Sequence, residues 1–228
     1  MSANSLKKVG KIIVRKYAYD IGKHWLQGKT MPKQAKTLTL VEQQKVLTYI
    51  NTKKHSTRNR ALVMTSFLSG MRVGEIASLR YKDVMDEEGK VRSEIRLTAE
   101  QTKGNEARIV FVNDKLRIEL QKYAKLYKVV DTSVKFFYSQ KGNNGSDAGN
   151  SGFSANTLTQ LFGYIYRGAG LYGASSHSGR LTFITNLASK GVSVRVLMSL
   201  AGHKNIGTTQ AYIDVNDDMK RSAVNLIS

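Results

Sequence analysis

A mostly helical α+β domain carrying one small antiparallel β-sheet is the fold class this sequence predicts, on three observations. Apolar residues recur at helical spacing through most of the 228 residues. Period-two alternation is confined to one stretch, where Glu94–Thr98 is answered by Arg108–Val112. Serine and threonine caps with glycine stops mark out the helical stretches. With 41% hydrophobic and 23% charged residues the chain has material for a real core, and its length suits one large domain, or one with a small appendage.

The elements follow in order. Met1–Thr37 holds Lys7, Lys8, Lys11, Arg15, Lys16, Lys23, Lys29, Lys33 and Lys36 against the single acid Asp20, a local charge of 9 − 1 = +8. Val9, Ile13, Tyr17, Ile21 and Trp25 recur every four residues within it, which places one apolar ridge on a basic helix. Residues 1–37 are therefore expected to form a basic arm, although an organelle transit peptide has a similar composition. The body is expected over 38–228. It starts at the capping box Thr39-Leu40-Val41-Glu42, with a helix to about Asn51. Arg58–Ser69 is a second, strongly apolar helix; Gly70 interrupts it and Val73–Leu79 resumes, leaving Arg72 at the break. The hairpin comes next, with Lys103-Gly104-Asn105 at its tip, and Asp114–Tyr127 is helical again. Residues 141–152 are rich in Gly, Asn and Ser and predict a mobile loop. Ser154 caps one helix, Ser176–Lys190 forms another ended by Gly191, and Ser193 caps a third ended near Gly202. Short segments are expected around Thr208–Tyr212 and Asp217–Leu226.

The charge balance, 36 Lys+Arg against 17 Asp+Glu, gives +19 and a pI near 10.0, which makes a polyanion, and first of all nucleic acid, the expected partner. No apolar run approaches the roughly 18–20 residues of a membrane span, so a soluble protein without a signal peptide is expected. The absence of cysteine excludes disulfides, thiolate metal sites and cysteine nucleophiles. Only four histidines occur, without metal-ligand spacing, and the acidic group Asp83 with Asp86-Glu87-Glu88 reads as a solvated turn, so neither zinc nor magnesium is expected. The residues left to carry chemistry are Arg72, Lys103, His177, Arg180, His203 and Tyr212. His177 and Arg180, three apart at a helix start, share a face. His203 and Tyr212, nine apart, would point in opposite directions on one continuous helix; a bend permitted by Asn205 and Gly207 is needed to bring them to one pocket. By composition alone Tyr212, one of 11 tyrosines, reads as a packing residue.

Five boxes in order change that reading: Leu68-Ser69-Gly70-Met71-Arg72-Val73-Gly74-Glu75-Ile76, Thr102-Lys103-Gly104, His177-Ser178-Gly179-Arg180, Leu200-Ala201-Gly202-His203, and Tyr212. Across about Thr37–Ser228 they resemble the tyrosine recombinase (phage integrase) family. The resemblance implies a site-specific recombinase in which Tyr212 attacks a phosphodiester of double-stranded DNA, leaving a 3′-phosphotyrosyl link and a free 5′-hydroxyl. It makes Lys103 the general acid for the 5′-oxygen, gives His177 a part in proton transfer, lets His203 orient phosphate or tyrosine, and sets Glu75 behind Arg72. It also implies no ATP, metal or other cofactor, a homotetramer on DNA joined through the C-terminal helix, a bacterial cytoplasmic setting with a phage or mobile element as a source, and room for an accessory DNA-binding protein. Lys7, Lys8, Lys11, Arg15, Lys16 and Lys204 are the expected phosphate contacts. The physical chemistry agrees. A tyrosine hydroxyl, with an ordinary pKa of about 10, needs a cationic setting and a proton acceptor, and two guanidiniums can grip the non-bridging oxygens bidentately and stabilise a pentacoordinate phosphorus.

The sequence also departs from the family pattern. Only Met1–Thr37 precedes the body, where the family usually carries a second helical DNA-clamping domain, so that domain is expected to be missing. Leu181 stands where many relatives have a polar or basic residue. Two rival readings share the boxes: a type IB topoisomerase-like relaxing enzyme, and a catalytically silent DNA-binding accessory protein.

Overall fold

The computed structural model describes residues 35–139, 152–213, 220–221 and 224–225. Nearly all of the basic arm, most of the 141–152 loop and most of the expected 217–226 helix lie outside the described residues. The described chain runs α1 (Leu40–Asn51), α2 (Ser56–Ser69), α3 (Val73–Ser78), α4 (Tyr81–Val84), β1 (Glu94–Leu97), β2 (Arg108–Phe111), α5 (Asp114–Ala124), α6 (Ala155–Gly168), α7 (Ser178–Ala188), α8 (Val194–Ala201) and α9 (Ile206–Gln210). The mostly helical α+β class with one small antiparallel sheet is what the structure has. No helix among the described residues is long and apolar enough to cross a membrane.

α2 is the axis. It packs against α1, α5 and α7 at once, and a helix enclosed on three sides must be apolar or self-satisfied nearly all round. Ala61, Leu62, Val63 and Phe67 supply apolar surface to the core shared with Leu116, Leu120 and Tyr123 of α5. Two of its buried polar residues return hydrogen bonds to their own helix: Thr65 Oγ1 donates to the Ala61 carbonyl (2.8 Å) and Ser69 Oγ to that of Thr65 (2.6 Å), whereas Arg60 Nε donates to Glu119 of α5 (2.9 Å) and Ser66 Oγ is buried without a partner. Arg58, also buried, donates to the Tyr138 carbonyl (3.1 Å) and lies over the Phe153 ring (5.0 Å), tying together the two chain segments that flank the loop.

Most boundaries fall where the caps predict. Thr39 Oγ1 accepts the Glu42 N–H while Glu42 Oε2 accepts the Thr39 N–H, closing the capping box of α1. Ser154 and Ser193 cap α6 and α8. α7 begins at Ser178, two residues later than expected, because Ser175 and Ser178 close a turn on each other: the Ser175 N–H donates to Ser178 Oγ and the Ser178 N–H to the Ser175 carbonyl, both at 2.9 Å. α5 stops at Ala124 rather than Tyr127. Asp83 sits on α4, a short helix the sequence reading did not anticipate, and Asp86 closes the turn behind it by accepting the Glu88 and Lys90 N–H groups.

The hairpin pairs Glu94 with Phe111 and Leu97 with Arg108, so Ile95, Leu97 and Val110 face inward and are buried. Lys103 lies in the connecting loop, as expected. α3 packs on α6, and its start is set by Gly70, whose φ of +63° ends α2 and turns the chain at once into Arg72.

Gly70 therefore gives the first prediction. A Cβ there would lie 2.5 Å from Phe183 Cδ1 on a left-handed backbone, so Gly70→Ala combines a φ cost of about 1–2 kcal/mol with an overpacking cost of about 1–3 kcal/mol. Urea unfolding should show a loss of at least about 2 kcal/mol.

Candidate active site

The site starts at the two places where helices end on glycine. At the C-terminus of α2 the Gly70 carbonyl accepts Arg180 Nη1 (2.6 Å), and at the C-terminus of α8 the Gly202 carbonyl accepts Arg72 Nη2 (3.0 Å). The terminal carbonyls of a helix lack intrahelical donors and carry its partial negative charge, so each is a natural seat for a cation. In this way two helix ends orient the two arginines that the sequence picked out.

Glu75 organises the rest. It is 1% exposed; its Oε1 accepts Arg72 Nη1 (3.0 Å), and its Oε2 accepts the Arg72 backbone N–H (2.7 Å) and Arg108 Nη2 (2.6 Å). Burial pushes this carboxyl up, but the hydrogen bond and charge of Arg108, with those of Arg72, outweigh burial and hold it below the usual glutamate range. Arg108 also donates to the Leu200 carbonyl (2.9 Å), linking β2 to α8 beneath Gly202, where a Cβ would lie 2.6 Å from the Arg108 stem. Glu75 as a support for Arg72 was expected; Arg108 was not. Its signal was present, because Arg108, Val110 and Val112 alternate onto one strand face, and a charged residue among inward positions asks for a buried counter-charge.

Arg180 is 5% exposed, and its Nη2 is buried without a hydrogen-bond partner. Burial, with the Arg72 charge adding, pushes its pKa down to about 9, so it remains a cation at neutral pH. The cluster thus sets three guanidiniums, Arg72, Arg108 and Arg180, around one carboxylate, with one buried donor unused. An anion in that place would satisfy both the charge and the donor.

His177 sits at the N-terminus of α7 and His203 directly after Gly202. Burial, then the charges of Arg180, Arg72 and Lys103, lowers the His177 pKa. Burial, then Arg180, Arg72 and Arg108, pulls that of His203 down to about 4. Both imidazoles are neutral at pH 7.5. His203 Nδ1 is 2.9 Å from Thr209 Oγ1, and in the tautomer in which it accepts that hydroxyl, Nε2–H is the free donor. The His203 and Tyr212 rings lie 6.0 Å apart, so the chain does bend between them. The bend is made at Asn205, which is extended (φ −120°, ψ 130°) and whose Oδ1 accepts the Gly207 N–H (2.7 Å) to start α9; Gly202, at φ +61°, ends α8 just before His203. Gly207 itself lies inside α9, so its expected part in the bend does not hold. Tyr212 is anchored by its backbone: its N–H donates to the Thr209 carbonyl (3.1 Å) and its carbonyl accepts Thr185 Oγ1 (3.4 Å).

Arg72, His177, Arg180, His203 and Tyr212 are therefore drawn from α2–α3, α7 and α8–α9 into one place. Lys103 stands exposed on the hairpin loop, near enough for its charge to act on His177. Lys204 is paired with Glu106 of the same loop (2.8 Å). Leu181 is buried in the protein interior and offers no polar contact. Lys7, Lys8, Lys11, Arg15 and Lys16 lie outside the described residues.

A compact helical domain whose hairpin and two glycine-ended helices direct arginines, histidines and a tyrosine to one point is the catalytic fold of the tyrosine recombinases. Residues 36–219 match the phage integrase family, and the chain belongs to it. Among relatives, it is 28% identical over 196 residues to tyrosine recombinase XerA of Pyrococcus furiosus, covering 86% of this chain and 62% of that protein. To tyrosine recombinase XerD of Rickettsia conorii it is 28% identical over 177 residues, covering 73% of this chain and 55% of the relative. The chain thus spans about three-fifths of the length of these curated relatives. The crystal structure of XerA recombinase superposes with a TM-score of 0.66 at 24% identity, over 86% of this chain and 66% of that one. The Tn1549 transposon integrase in complex with circular intermediate DNA gives 0.63 at 21% identity, over 89% and 70%.

Two predictions come from the electrostatics. Glu75→Gln leaves three guanidiniums without their buried anion and should cost about 3–5 kcal/mol in urea unfolding, the range for breaking a buried ion pair. The His203 imidazole should show no NMR titration from pH 8 to 5 and should protonate near pH 4. Because its folded pKa is depressed, its contribution to stability is complete above about pH 6.5 and falls away as the pH drops toward 4.

Proposed function

We propose that this chain is the catalytic part of a site-specific DNA recombinase, with Tyr212 as nucleophile. The observation that carries the reading is the unpartnered buried Nη2 of Arg180 inside a cluster of three guanidiniums and one carboxylate. A scissile phosphodiester is the anion that suits it. Arg180 and Arg72 hold the non-bridging oxygens and carry the charge that develops at pentacoordinate phosphorus, and the neutral His203 donates from Nε2 to the same group. The Tyr212 phenolic oxygen forms the new P–O bond and gives its proton to His177. The P–O5′ bond breaks, and Lys103 Nζ protonates the leaving 5′-oxygen. The product is a 3′-phosphotyrosyl link and a free 5′-hydroxyl. Attack by a 5′-hydroxyl from a second duplex reverses these steps and joins the strands, with the bond energy conserved in the linkage.

In this reading the partner is double-stranded DNA, the working form is a tetramer on two sites, and the setting is cytoplasmic. Residues 38–228 are the catalytic domain. Lys7, Lys8, Lys11, Arg15 and Lys16 of the 1–37 arm add phosphate contacts whose salt dependence follows counterion release. Support comes from the family membership, the assembled arginine, histidine and tyrosine set, and the net charge of +19.

The test is covalent trapping on a nicked suicide substrate. Tyr212→Phe should bind DNA normally and form no protein–DNA adduct; a persisting adduct moves the nucleophile elsewhere. Arg180→Lys keeps the charge but loses the fork, and should slow cleavage on the order of 10²–10³-fold, the range for losing an oxyanion donor. A supercoiled plasmid without the cognate site should stay supercoiled, whereas general relaxation would favour the topoisomerase reading.

A further inference from the structure

We propose that Glu106 and Lys204 form a latch that holds the hairpin loop against the His203 segment, so that both are positioning residues for Lys103. The loop between β1 and β2 is stiff within itself. Thr102 Oγ1 donates to the Glu106 carbonyl (2.8 Å) and accepts the Glu106 N–H (3.2 Å), and Asn105 takes a left-handed φ of 52° to close the turn. Lys103 and Glu106 therefore move as one body. The attachment of that body to the rest of the site is narrower. At its root Arg108 is fixed by Glu75 on one limb, and on the other Gln101 Nε2 donates to Asp83 Oδ2 (2.9 Å). Across its tip runs the pair Lys204 Nζ–Glu106 Oε1 at 2.8 Å. The Lys204 stem also lies over Gly104, where an added Cβ would sit 2.9 Å from Lys204 Cε.

The placement is specific. Gly104 follows the proposed proton donor directly, and Lys204 follows His203 directly, so the latch joins the loop carrying Lys103 to the segment carrying His203 and Tyr212. Glu106 and Lys204 side chains are 68% and 59% exposed. A pair so open adds little to global stability and is screened by salt. Its effect falls instead on how often the loop stands closed over the site, an equilibrium in which even an exposed pair shifts the population severalfold. Lys204, expected as a phosphate contact, is held in the structure by a carboxylate.

This inference rests on the reading of Lys103 as general acid, and the experiment separates the two. Single-turnover cleavage at saturating protein is measured on ordinary DNA and on DNA with sulfur in place of the scissile 5′-oxygen. The sulfur leaves as a stable thiolate and needs no proton. Lys103→Ala should be slow on the first substrate and restored on the second; if it is not restored, the acid assignment fails. With that assignment standing, Glu106→Gln should slow ordinary cleavage about 3- to 5-fold and match the parent protein on the sulfur substrate, which also verifies that it is folded. The exchange Glu106→Lys with Lys204→Glu should recover most of the lost rate, and the Glu106→Gln deficit should shrink at high salt, where the parent's latch is screened. Equal slowing on both substrates would overturn the latch. So would faster cleavage or tighter DNA binding by Glu106→Gln, the result expected if Glu106 merely competes with phosphate for Lys204.

Discussion

Glu75 is the residue on which the arrangement turns. A carboxylate 1% exposed would be costly if unpaired. Here it takes hydrogen bonds from the Arg72 side chain and backbone and from Arg108. Those bonds fix the start of α3, the root of the hairpin and, through the Arg108 bond to Leu200, the end of α8. One acid thereby sets the relative positions of three elements that each carry part of the site. It also leaves the charge unbalanced. With Arg180 alongside, three guanidiniums face a single anion, and the surplus is what a phosphate would answer.

The same economy shows in the helix ends. Gly70 and Gly202 both adopt left-handed φ, and each turns its carbonyl to one of the two arginines that grip the proposed phosphate. Burial and neighbouring charge then act on the histidines, keeping His203 neutral until about pH 4 and lowering His177 as well. A neutral imidazole adds no charge to an already cationic site at rest and is free to accept a proton or to donate a hydrogen bond. The cationic cluster and the neutral histidines are thus two results of one dense set of guanidiniums.

Much of this was legible in the sequence. The Thr39 capping box, Gly70 as a helix stop before Arg72, the hairpin alternation around Lys103, and the Ser193 to Gly202 helix are local signals, readable because caps and periodicities act within a few residues. Long-range consequences were not legible. Arg108 looked like the first residue of a strand, since its partner Glu75 is 33 positions away. Of the two residues expected at the bend, Asn205 makes it, extended ahead of α9, whereas Gly207 lies inside that helix. The Ser175–Ser178 closure delayed α7 by two residues, a contest between side-chain and backbone hydrogen bonds that composition does not rank.

The central claim is that the surplus guanidinium charge exists to meet negative charge on the scissile phosphate. Cleavage of a methylphosphonate at that position tests it most directly, because the methyl group removes the charge from one non-bridging oxygen while leaving phosphorus open to attack. If the account holds, the deficit of Arg180→Ala relative to the parent protein, large on ordinary DNA, shrinks to within about tenfold on the methylphosphonate. A deficit of the same size on both substrates would contradict it, since Arg180 would then serve the structure of the site and not the charge of the phosphate.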